Sequence, residues 1–423
     1  MIIVKNWYGR VLESKSGDQS IRPLEKEIEL LKSPKGYLYA GFPKFKALFG
    51  RDSMITGWEL MEWDKGIAIS AITALANLQG KKINLETGER PGKIPHEHFD
   101  SYLVYKRRKG DVPWLTKMTN YFSVDSTPLF IIVSCLLYDL YPKFISSKIR
   151  NAIINSLEFM EYETRSSGML SYVKSEPGKG PQSQSWRDGI GDILDRLKSP
   201  ITTVGAQGYL FDAVNRGIDF LKSPKVECGQ LEGELRELAS GLPERLENYF
   251  WDEDYSYYAL AFDGDGVAER AITSDPGHLL FSGVLTRRRE REVIDGLLDS
   301  DMLTDFGIRT LSSNDHRFDA RAYQRGSIWP HDNWIIAIGL KKRGYVKQYE
   351  EIRDRLLNAY EEMGRMPEYF GVDREGKLLL TERMRIRPCY PQSWSTGAII
   401  SLMVEKDGKS GRRLEVKRNG NKT

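Results

Sequence analysis

Apolar residues recur every three or four positions in many segments of this chain, which is the period of a helix with one buried face. The pattern predicts helices over 20–31, 53–62, 66–78, 127–140, 142–162, 201–221, 231–249, 279–285, 289–298, 334–342, 345–363 and 392–403. Between 255 and 272 the pattern changes to that of a small β-hairpin, with Asp263-Gly264-Asp265-Gly266 as its turn. The chain is therefore predicted to be almost entirely helical.

The connections between the predicted helices alternate in length. Short turns, as at Ser223-Pro224, join two helices into a pair, whereas long connections rich in Gly, Pro, Trp and charged residues separate the pairs. All long connections should therefore fall at the same end of the helices. Five pairs are complete, and helix 20–31 can partner helix 392–403. We expect a closed ring of six helical hairpins, with an open helical array as the alternative.

Composition limits the class of protein. The 423 residues carry a net charge of +3, which indicates no nucleic-acid partner, and no apolar run is long enough to cross a membrane. Three cysteines far apart in the sequence, Cys135, Cys228 and Cys389, indicate a reduced, cytoplasmic protein. We expect one domain over 1–404 and a charged, disordered tail over 405–423.

Two acidic residues in the long connections are candidates for glycoside hydrolysis. That reaction needs one carboxylic acid to protonate the leaving oxygen and a second carboxylate to activate water or to attack the sugar. Aromatic or apolar residues flank both Asp188 and Glu368, and partial burial would raise a carboxyl pKa into a useful range. Each residue alone can equally be a solvated loop carboxylate. Asp192, in the same connection as Asp188, is an alternative acid.

Other polar clusters in these connections are open to two interpretations. Arg51 and Asp52 open a predicted helix, where they can read a polar ligand or form an ordinary helix cap. His96-Glu97-His98 resembles a metal cluster, but no third ligand stands at a recognisable spacing, so no metal is predicted. The glycine-rich signatures of nucleotide sites are absent from the sequence, and we expect no cofactor.

Eight short motifs in the long connections resemble, in the same order, those of the glucosidase domain of glycogen debranching enzymes, the amylo-α-1,6-glucosidases. The motifs are 49–53, 91–97, 184–188, 207–209, 307–312, 326–333, 366–368 and 391–394. This resemblance implies an (α/α)6 barrel and an inverting hydrolase, with Asp188 as general acid and Glu368 as general base. The residues expected to bind the substrate are Arg51, Asp52, His96, Glu97, Trp186, Arg187, Gln207, Trp329, His331, Asp332, Gln392 and Trp394.

The expected activity is an exo-acting, inverting hydrolysis that releases glucose from α-glucosides or α-1,6 branches. Only about 36 residues precede the aromatic connection that begins at Tyr37, too few for the extra domain that debranching enzymes usually carry there. Small glycosides such as mannosylglycerate or trehalose are therefore the alternative substrates. A sugar-binding toroid without catalysis is the alternative from another class. The expected partner is a carbohydrate, with neither nucleic acid nor membrane.

Overall fold

The computed structural model of the protein describes residues 3–5, 11–13, 21–189, 191–222 and 229–407. The helices of this part are α1 Arg22–Leu31, α2 Gly50–Glu59, α3 Lys65–Leu78, α4 Tyr102–Asp111, α5 Ser126–Leu140, α6 Ser147–Thr164, α7 Val204–Leu221, α8 Gly229–Phe250, α9 Arg287–Leu298, α10 Pro330–Arg343, α11 Val346–Met363 and α12 Ser393–Asp407. None of these described helices is long and apolar enough to cross a membrane. The predicted turn at Ser223-Pro224 and residues 408–423 of the predicted tail lie outside the described residues.

Strands in the described part are only two or three residues long. They are β1 Ile3–Lys5, β2 Val11–Glu13, β3 Leu48–Phe49, β4 Glu97–His98, β5 Thr119–Asn120, β6 Thr202–Thr203, β7 Trp251–Asp252, β8 Tyr257–Tyr258, β9 Ala261–Phe262, β10 Ala268–Glu269, β11 Leu303–Thr304, β12 Gly307–Ile308, β13 Gly371–Val372 and β14 Leu378–Leu379. All their pairings are antiparallel, and β9 with β10 forms the predicted minor hairpin. Strand β4 joins β3 to β5 and thereby fixes residue 97 beside the start of α2.

Six segments form an inner ring in which each contacts the next. In order they are α2, α5, α7, the 3-10 turn Asp275–Leu279, α10 and α12, and α12 returns to α2. The outer partners of these six are α3, α6, α8, α9, α11 and α1. The predicted (α/α)6 barrel is therefore confirmed, with α1 as the sixth partner, and the contact between α12 and α2 rules out an open array.

The two rings differ in how their helices are buried, and the sequence is the cause. Inner helix α5 is buried without interruption from Ser126 to Leu137, as expected of a helix that is apolar all round. Outer helix α11 buries Tyr349, Ile352 and Leu356 at intervals of three or four residues and exposes its charged face. Burial of these stripes against the inner ring supplies the main driving force for the fold.

The helix predicted over 279–285 is wrong. Residues Asp275–Leu279 form a 3-10 turn, and 280–283 continue as turns without a regular helix. The hydroxyl of Ser282 donates to the carbonyl of Leu279, and Gly283 has φ +78°, a left-handed conformation that ends helical structure. One member of the inner ring is therefore a short turn instead of an α-helix.

Helix α4 lies in a region where the sequence pattern predicts no helix. Only Tyr105 is buried, Tyr102 and Leu103 are exposed, and four consecutive basic residues follow at 106–109, so the helix has no buried apolar stripe. The helix packs on a small second core formed by Ala40, Ala47, Phe49, Phe99, Tyr105 and Leu115. This module stands beside the first turn of α2.

Candidate active site

The first turns of the inner-ring segments meet at one end of the barrel. Arg51 in α2 binds Asp125, which immediately precedes α5, and Asp332 in α10 binds His278 of the 3-10 turn. The unpaired N–H groups and partial positive charge of helix N-termini stabilise carboxylates at such positions. The alternation of short and long connections predicts this convergence, because it places all long connections at one end.

Asp188 stands at the entrance of this site, held by Arg51. The guanidinium of Arg51 donates to Asp188 Oδ2 at 2.8 Å and to the two oxygens of Asp125 at 3.2 and 3.0 Å. The side chain of Asp188 is 32% exposed, whereas those of Arg51 and Asp125 are 3% and 2% exposed. Burial raises the pKa of Asp188, and Arg51 opposes this effect.

Glu368 is buried and has both carboxylate oxygens fixed. The hydroxyl of Tyr323 donates to Oε1 at 2.7 Å, and the backbone N–H of Cys389 donates to Oε2 at 2.9 Å. Burial raises the pKa of Glu368 to about 7, although these two hydrogen bonds lower it, and the charge of Asp188 raises it further. Glu368 therefore changes charge near neutral pH.

Carboxylates outnumber cations at the centre of the site. Asp52, Asp125 and Asp188 lie near the guanidinium of Arg51, and Glu368 lies near Asp52 and Asp188. Burial raises the pKa of Asp52 to about 7 despite Arg51, and the charges of Asp188 and Glu368 add to that rise. Asp52 therefore changes charge near neutral pH.

Aromatic rings form the floor and walls of the site. The ring of His331 stacks on Trp394 with centroids 3.8 Å apart, and Trp329 stacks on Tyr369 at 5.0 Å. Trp186 meets His331 edge-to-face at 5.3 Å. Flat rings with polar edges are the surfaces on which sugar rings pack.

Several buried polar atoms of the site have no hydrogen-bond partner among the described residues. They are Arg51 Nε, His96 Nδ1, Glu97 Oε1, Asp332 Oδ2 and both ring nitrogens of His331. Burial lowers the pKa of His331 well below its usual range, so its ring is neutral and offers one donor and one acceptor. Buried polar groups require partners, and ligand hydroxyls, which both donate and accept, would satisfy these.

Four further predicted residues lie in the same region in different settings. Glu97 accepts from Asn120 at 3.4 Å, and burial raises its pKa to about 7. The amide of Gln392 donates to the Ala40 carbonyl at 2.8 Å and accepts from Trp394 Nε1 at 3.2 Å. Asp52 lies within the first turn of α2, whose cap position is occupied by Phe49, so the helix-cap interpretation of Asp52 is wrong. His96 packs against the ring of Phe49.

Two predicted substrate-binding residues have no hydrogen-bonding capacity left for a substrate. All five N–H groups of Arg187 are engaged, with Asp192, Asp275 and the carbonyls of Thr310 and Gln324. The amide of Gln207 is satisfied by backbone groups of 170 and 203. Arg187 and Gln207 therefore support the walls of the site.

The two candidate acids, Asp188 and Asp192, have different surroundings. Asp192 is buried, forms an ion pair with Arg187 at 3.1 Å and accepts from the N–H of Leu194 at the start of a 3-10 turn. Asp188 has one oxygen bound to Arg51 and is partly exposed at the entrance. Of the two, Asp188 alone is partly exposed.

Sequence reasoning missed Asp125 and Tyr323 as members of the site. Asp125 occupies the same position before α5 that the long-connection pattern assigns to other site residues, so its place at an inner-helix start is the available signal. Tyr323 lies in a connection between motifs, and nothing in its local sequence indicates the contact with Glu368. The N–H of Cys389 is a backbone donor, which no side-chain motif reveals.

Comparisons with known proteins support a particular kind of glycoside hydrolase. Residues 227–377 match the mannosylglycerate hydrolase MGH1-like glycoside hydrolase domain. A stretch of 149 residues is 27% identical to a mannosylglycerate hydrolase of Rubrobacter radiotolerans. This match covers 34% of the chain and spans about a third, 32%, of that relative.

Solved structures resemble the chain over most of its length. The GH63 mannosylglycerate hydrolase from Thermus thermophilus in complex with Tris has a TM-score of 0.68 at 15% identity, with 91% of this chain and 99% of that chain covered. Its complex with Tris and D-glycerate gives 0.67 at 15% identity over 91% and 100% of the two chains. A rhamnosidase from Klebsiella oxytoca with rhamnose bound gives 0.59 at 12% identity, covering 93% and 65%.

The comparisons bear differently on the expected fold and on the expected debranching activity. At such low identity the structural matches establish the fold, which is the (α/α)6 toroid of six-hairpin glycosidases. The matches do not support the debranching subtype that the motifs resemble, because the named relatives are mannosylglycerate hydrolases. The chain thus has the (α/α)6 toroid fold, and the sequence matches are to mannosylglycerate hydrolases.

Proposed function

We propose that the protein is an inverting glycoside hydrolase acting on a small glycoside with an anionic aglycone, such as mannosylglycerate. One observation carries this proposal. Two carboxyl groups with different environments, Asp188 at the entrance and Glu368 deep in the wall, converge on an aromatic site whose buried polar atoms lack protein partners among the described residues. Pairs of carboxyls in contrasting environments are the working groups of glycosidases.

Asp188 is the proposed general acid. Its Oδ2 is fixed by Arg51, and its partial exposure brings the carboxyl to where an aglycone leaves. The excess of carboxylates around Arg51 favours a retained proton, which offsets the acidifying effect of Arg51 itself. The proton passes from the carboxyl of Asp188 to the glycosidic oxygen as that bond breaks.

Glu368 is the proposed general base. Two hydrogen bonds, from Tyr323 and from the N–H of Cys389, orient its carboxylate and favour the charged form that accepts a proton from water. The Tyr323 ring also packs against Gly189, next to Asp188. The Tyr323 side chain therefore contacts both Glu368 and the backbone next to Asp188. Inversion requires the two carboxyls to stand about 6.5–9.5 Å apart, with room for the attacking water.

Basic residues near the two carboxyls favour an acidic aglycone. Arg325 lines a small cavity with Gly189 and Tyr323, and its guanidinium forms no ion pair with the described residues. The charge of Lys44, whose ammonium donates to the Arg387 carbonyl, lowers the pKa of Glu368. An aglycone carboxylate beside the Arg325 guanidinium would gain charge-assisted hydrogen bonds that a neutral glucoside lacks.

A glycosyl fluoride separates the two catalytic roles, because fluoride leaves without protonation. Asp188→Asn should reduce the turnover of mannosylglycerate by about 10²–10⁴-fold but retain most of the turnover of α-mannosyl fluoride. Glu368→Gln should lose both activities. Equal losses by both variants on the fluoride would contradict the assignment, as would turnover that neither change reduces. Absence of turnover of every substrate by the wild type would favour the non-catalytic toroid.

Substrate class and stereochemistry need separate measurements. We expect mannosylglycerate to be cleaved faster than isomaltose, trehalose or limit dextrin, and Arg325→Met to raise its KM about tenfold with little effect on the neutral fluoride. NMR of the first-formed anomer should show inversion. Retention would overturn the mechanism, while a preference for isomaltose would overturn only the proposed substrate.

A further inference from the structure

A second cavity, separate from the sugar site, lies against outer helix α6. Its volume is about 230 Å³, well above the share of about 30 Å³ that one water occupies in the liquid. Residues 84–93, 122–124 and 170–173 form much of its wall, together with Phe159 and Glu163 of α6. Neither Asp188 nor Glu368 lines it. We call it the Lys93 cavity.

Lys93 is the distinctive polar group of this cavity. Its ammonium lies 6.0 Å from the centroid of the Phe159 ring and makes neither a hydrogen bond nor an ion pair with the described residues. The neighbouring charges are already engaged, since Arg90 binds Glu163 at 3.2 Å and Glu89 accepts from a backbone N–H. Lys93 is partly buried, and a partly desolvated ammonium gains from an anion beside it.

The pKa of Lys93 is consistent with an amine that forms no ion pair with the described residues. Burial lowers its pKa to about 8, the charge of Glu163 raises it in part, and Arg90 lowers it again. A bound anion would offset the burial effect and keep the amine charged. Lys93 belongs to the motif 91–97, yet it takes no part in the sugar site.

Most of the hydroxyl and amide groups of the wall already have partners in the protein. The hydroxyls of Ser123, Ser171 and Tyr172 are bound to other side chains, and the amide nitrogen of Gln184 donates to a backbone carbonyl. A polyol would find few free partners here. The specificity of the cavity therefore rests on one cation.

The other part of the wall is apolar. Phe122, Val124, Phe159, Leu170 and Val173 line it. Gly88, at φ +68°, makes room for the Phe122 ring, because a Cβ there would lie 2.8 Å from that ring. A flat or branched hydrocarbon body fits between such side chains.

We propose that the Lys93 cavity binds a small organic monocarboxylate, with the carboxylate on the Lys93 ammonium and an apolar body against Phe122 and Phe159. The ligand class follows from one cation without a partner among the described residues, satisfied hydroxyls and aromatic walls. This site is independent of the sugar site, so hydrolysis is not needed to test it.

Isothermal titration calorimetry with benzoate on the full-length protein tests the proposal. We expect saturable binding to the wild type, at least tenfold weaker binding to Lys93→Gln, and retention in Lys93→Arg, because the charged hydrogen bond carries the recognition. Lys82→Gln, an exposed lysine of the same connection, is the matched control and should bind as the wild type. Benzyl alcohol, the neutral analogue, should bind at least tenfold more weakly than benzoate.

Three results would overturn the proposal. They are an absence of saturable benzoate binding to the wild type, equal binding by Lys93→Gln and wild type, and equal binding of benzoate and benzyl alcohol. Loss of benzoate binding in Arg325→Met, with Lys93→Gln unaffected, would locate the carboxylate at the sugar site instead. Thermal unfolding of each variant verifies the fold, and if Lys93→Gln does not fold, the comparison of benzoate with benzyl alcohol on the wild type and on Arg325→Met decides.

Discussion

Two buried arginines, Arg51 at the start of α2 and Arg187 in the connection after α6, each pair with two aspartates but have different surroundings. Arg187 is 1% exposed, and its partners Asp192 and Asp275 are 2% and 3% exposed. Every N–H of Arg187 is satisfied within the protein. This ion-paired cluster is closed and joins the connection to the ring.

Arg51 also pairs with two aspartates, but its cluster is partly exposed and not fully hydrogen-bonded. Its Nε has no partner among the described residues, and Asp188 is 32% exposed. Consecutive residues 187 and 188 therefore belong to a supporting cluster and to the candidate catalytic cluster, respectively. Residue type alone does not separate support from chemistry, whereas hydrogen-bond satisfaction and exposure do.

The largest expected effect compares the two aspartates of this connection. Asp188→Asn should reduce kcat on mannosylglycerate by about 10²–10⁴-fold with little change in thermal midpoint, because the side chain is partly exposed. Asp192→Asn should instead lower the thermal midpoint and keep most of the activity of the folded enzyme. Steady-state kinetics and thermal unfolding of both variants provide the test, and a greater kcat loss in Asp192→Asn would reverse the assignment.

The next effect concerns the closed cluster. Arg187→Met leaves two buried carboxylates unpaired, so we expect a loss of about 3–5 kcal/mol in the free energy of unfolding. Arg236→Met is the matched control, because Arg236 is half exposed and pairs with Glu232 one helical turn away; its loss should stay below about 1 kcal/mol. Chemical denaturation measures both, and equal stabilities would show that the cluster does not support the fold.

A smaller effect is expected at Tyr323. Its hydroxyl lowers the pKa of Glu368, which is about 7, so Tyr323→Phe should raise that pKa. Since a general base works only when deprotonated, the acidic limb of the kcat/KM profile should move to higher pH. Tyr258→Phe removes a similar bond, to Glu247 on an outer helix, and should leave the profile unchanged. A shift to lower pH in Tyr323→Phe would contradict the role of Glu368.

The smallest effect is a pH dependence of stability at Glu97. Burial raises the pKa of Glu97 from 4.5 to about 7, so its contribution to stability is complete below pH 4.5 and is lost as pH rises through 7. The Glu97→Gln side chain does not ionise, so that variant lacks this pH-dependent contribution. The thermal midpoint of the wild type should therefore fall more between pH 5 and pH 8 than that of Glu97→Gln, by roughly a few degrees. Parallel declines would count against a buried, ionisable Glu97.

The ring could be predicted because it depends on repeated, local features. Apolar periodicity marks the helices, and alternating connection lengths indicate which helices pair, including α1 with α12. The pattern fails where burial is slight, as in α4, or where a short turn replaces a helix, as in Asp275–Leu279. In both places the apolar spacing carries no information about backbone conformation.

The site could be predicted only in part, for a different reason. Motifs identify the connections that reach the site but not the direction in which each side chain points. Arg187 and Asp188 are adjacent in one motif and lie in different clusters, and Gln207 is satisfied by backbone groups. Contacts such as that of Tyr323 with Glu368 span 45 residues and depend on how the connections fold over the ring.

All inner-ring segments begin at the same end of the barrel, and this arrangement affects how new substrate preferences can arise. Every connection bearing a site residue leaves and rejoins the barrel there, while the short turns lie at the other end. Lengthening a surface connection costs little, about 0.6 kcal/mol for each doubling of its length, whereas altering the rings disturbs close packing. The barrel is therefore a constant scaffold that carries exchangeable connections. The module containing α4, with its own small core beside α2, is one such connection. New aglycone preferences can be acquired by replacing connections without repacking a single helix.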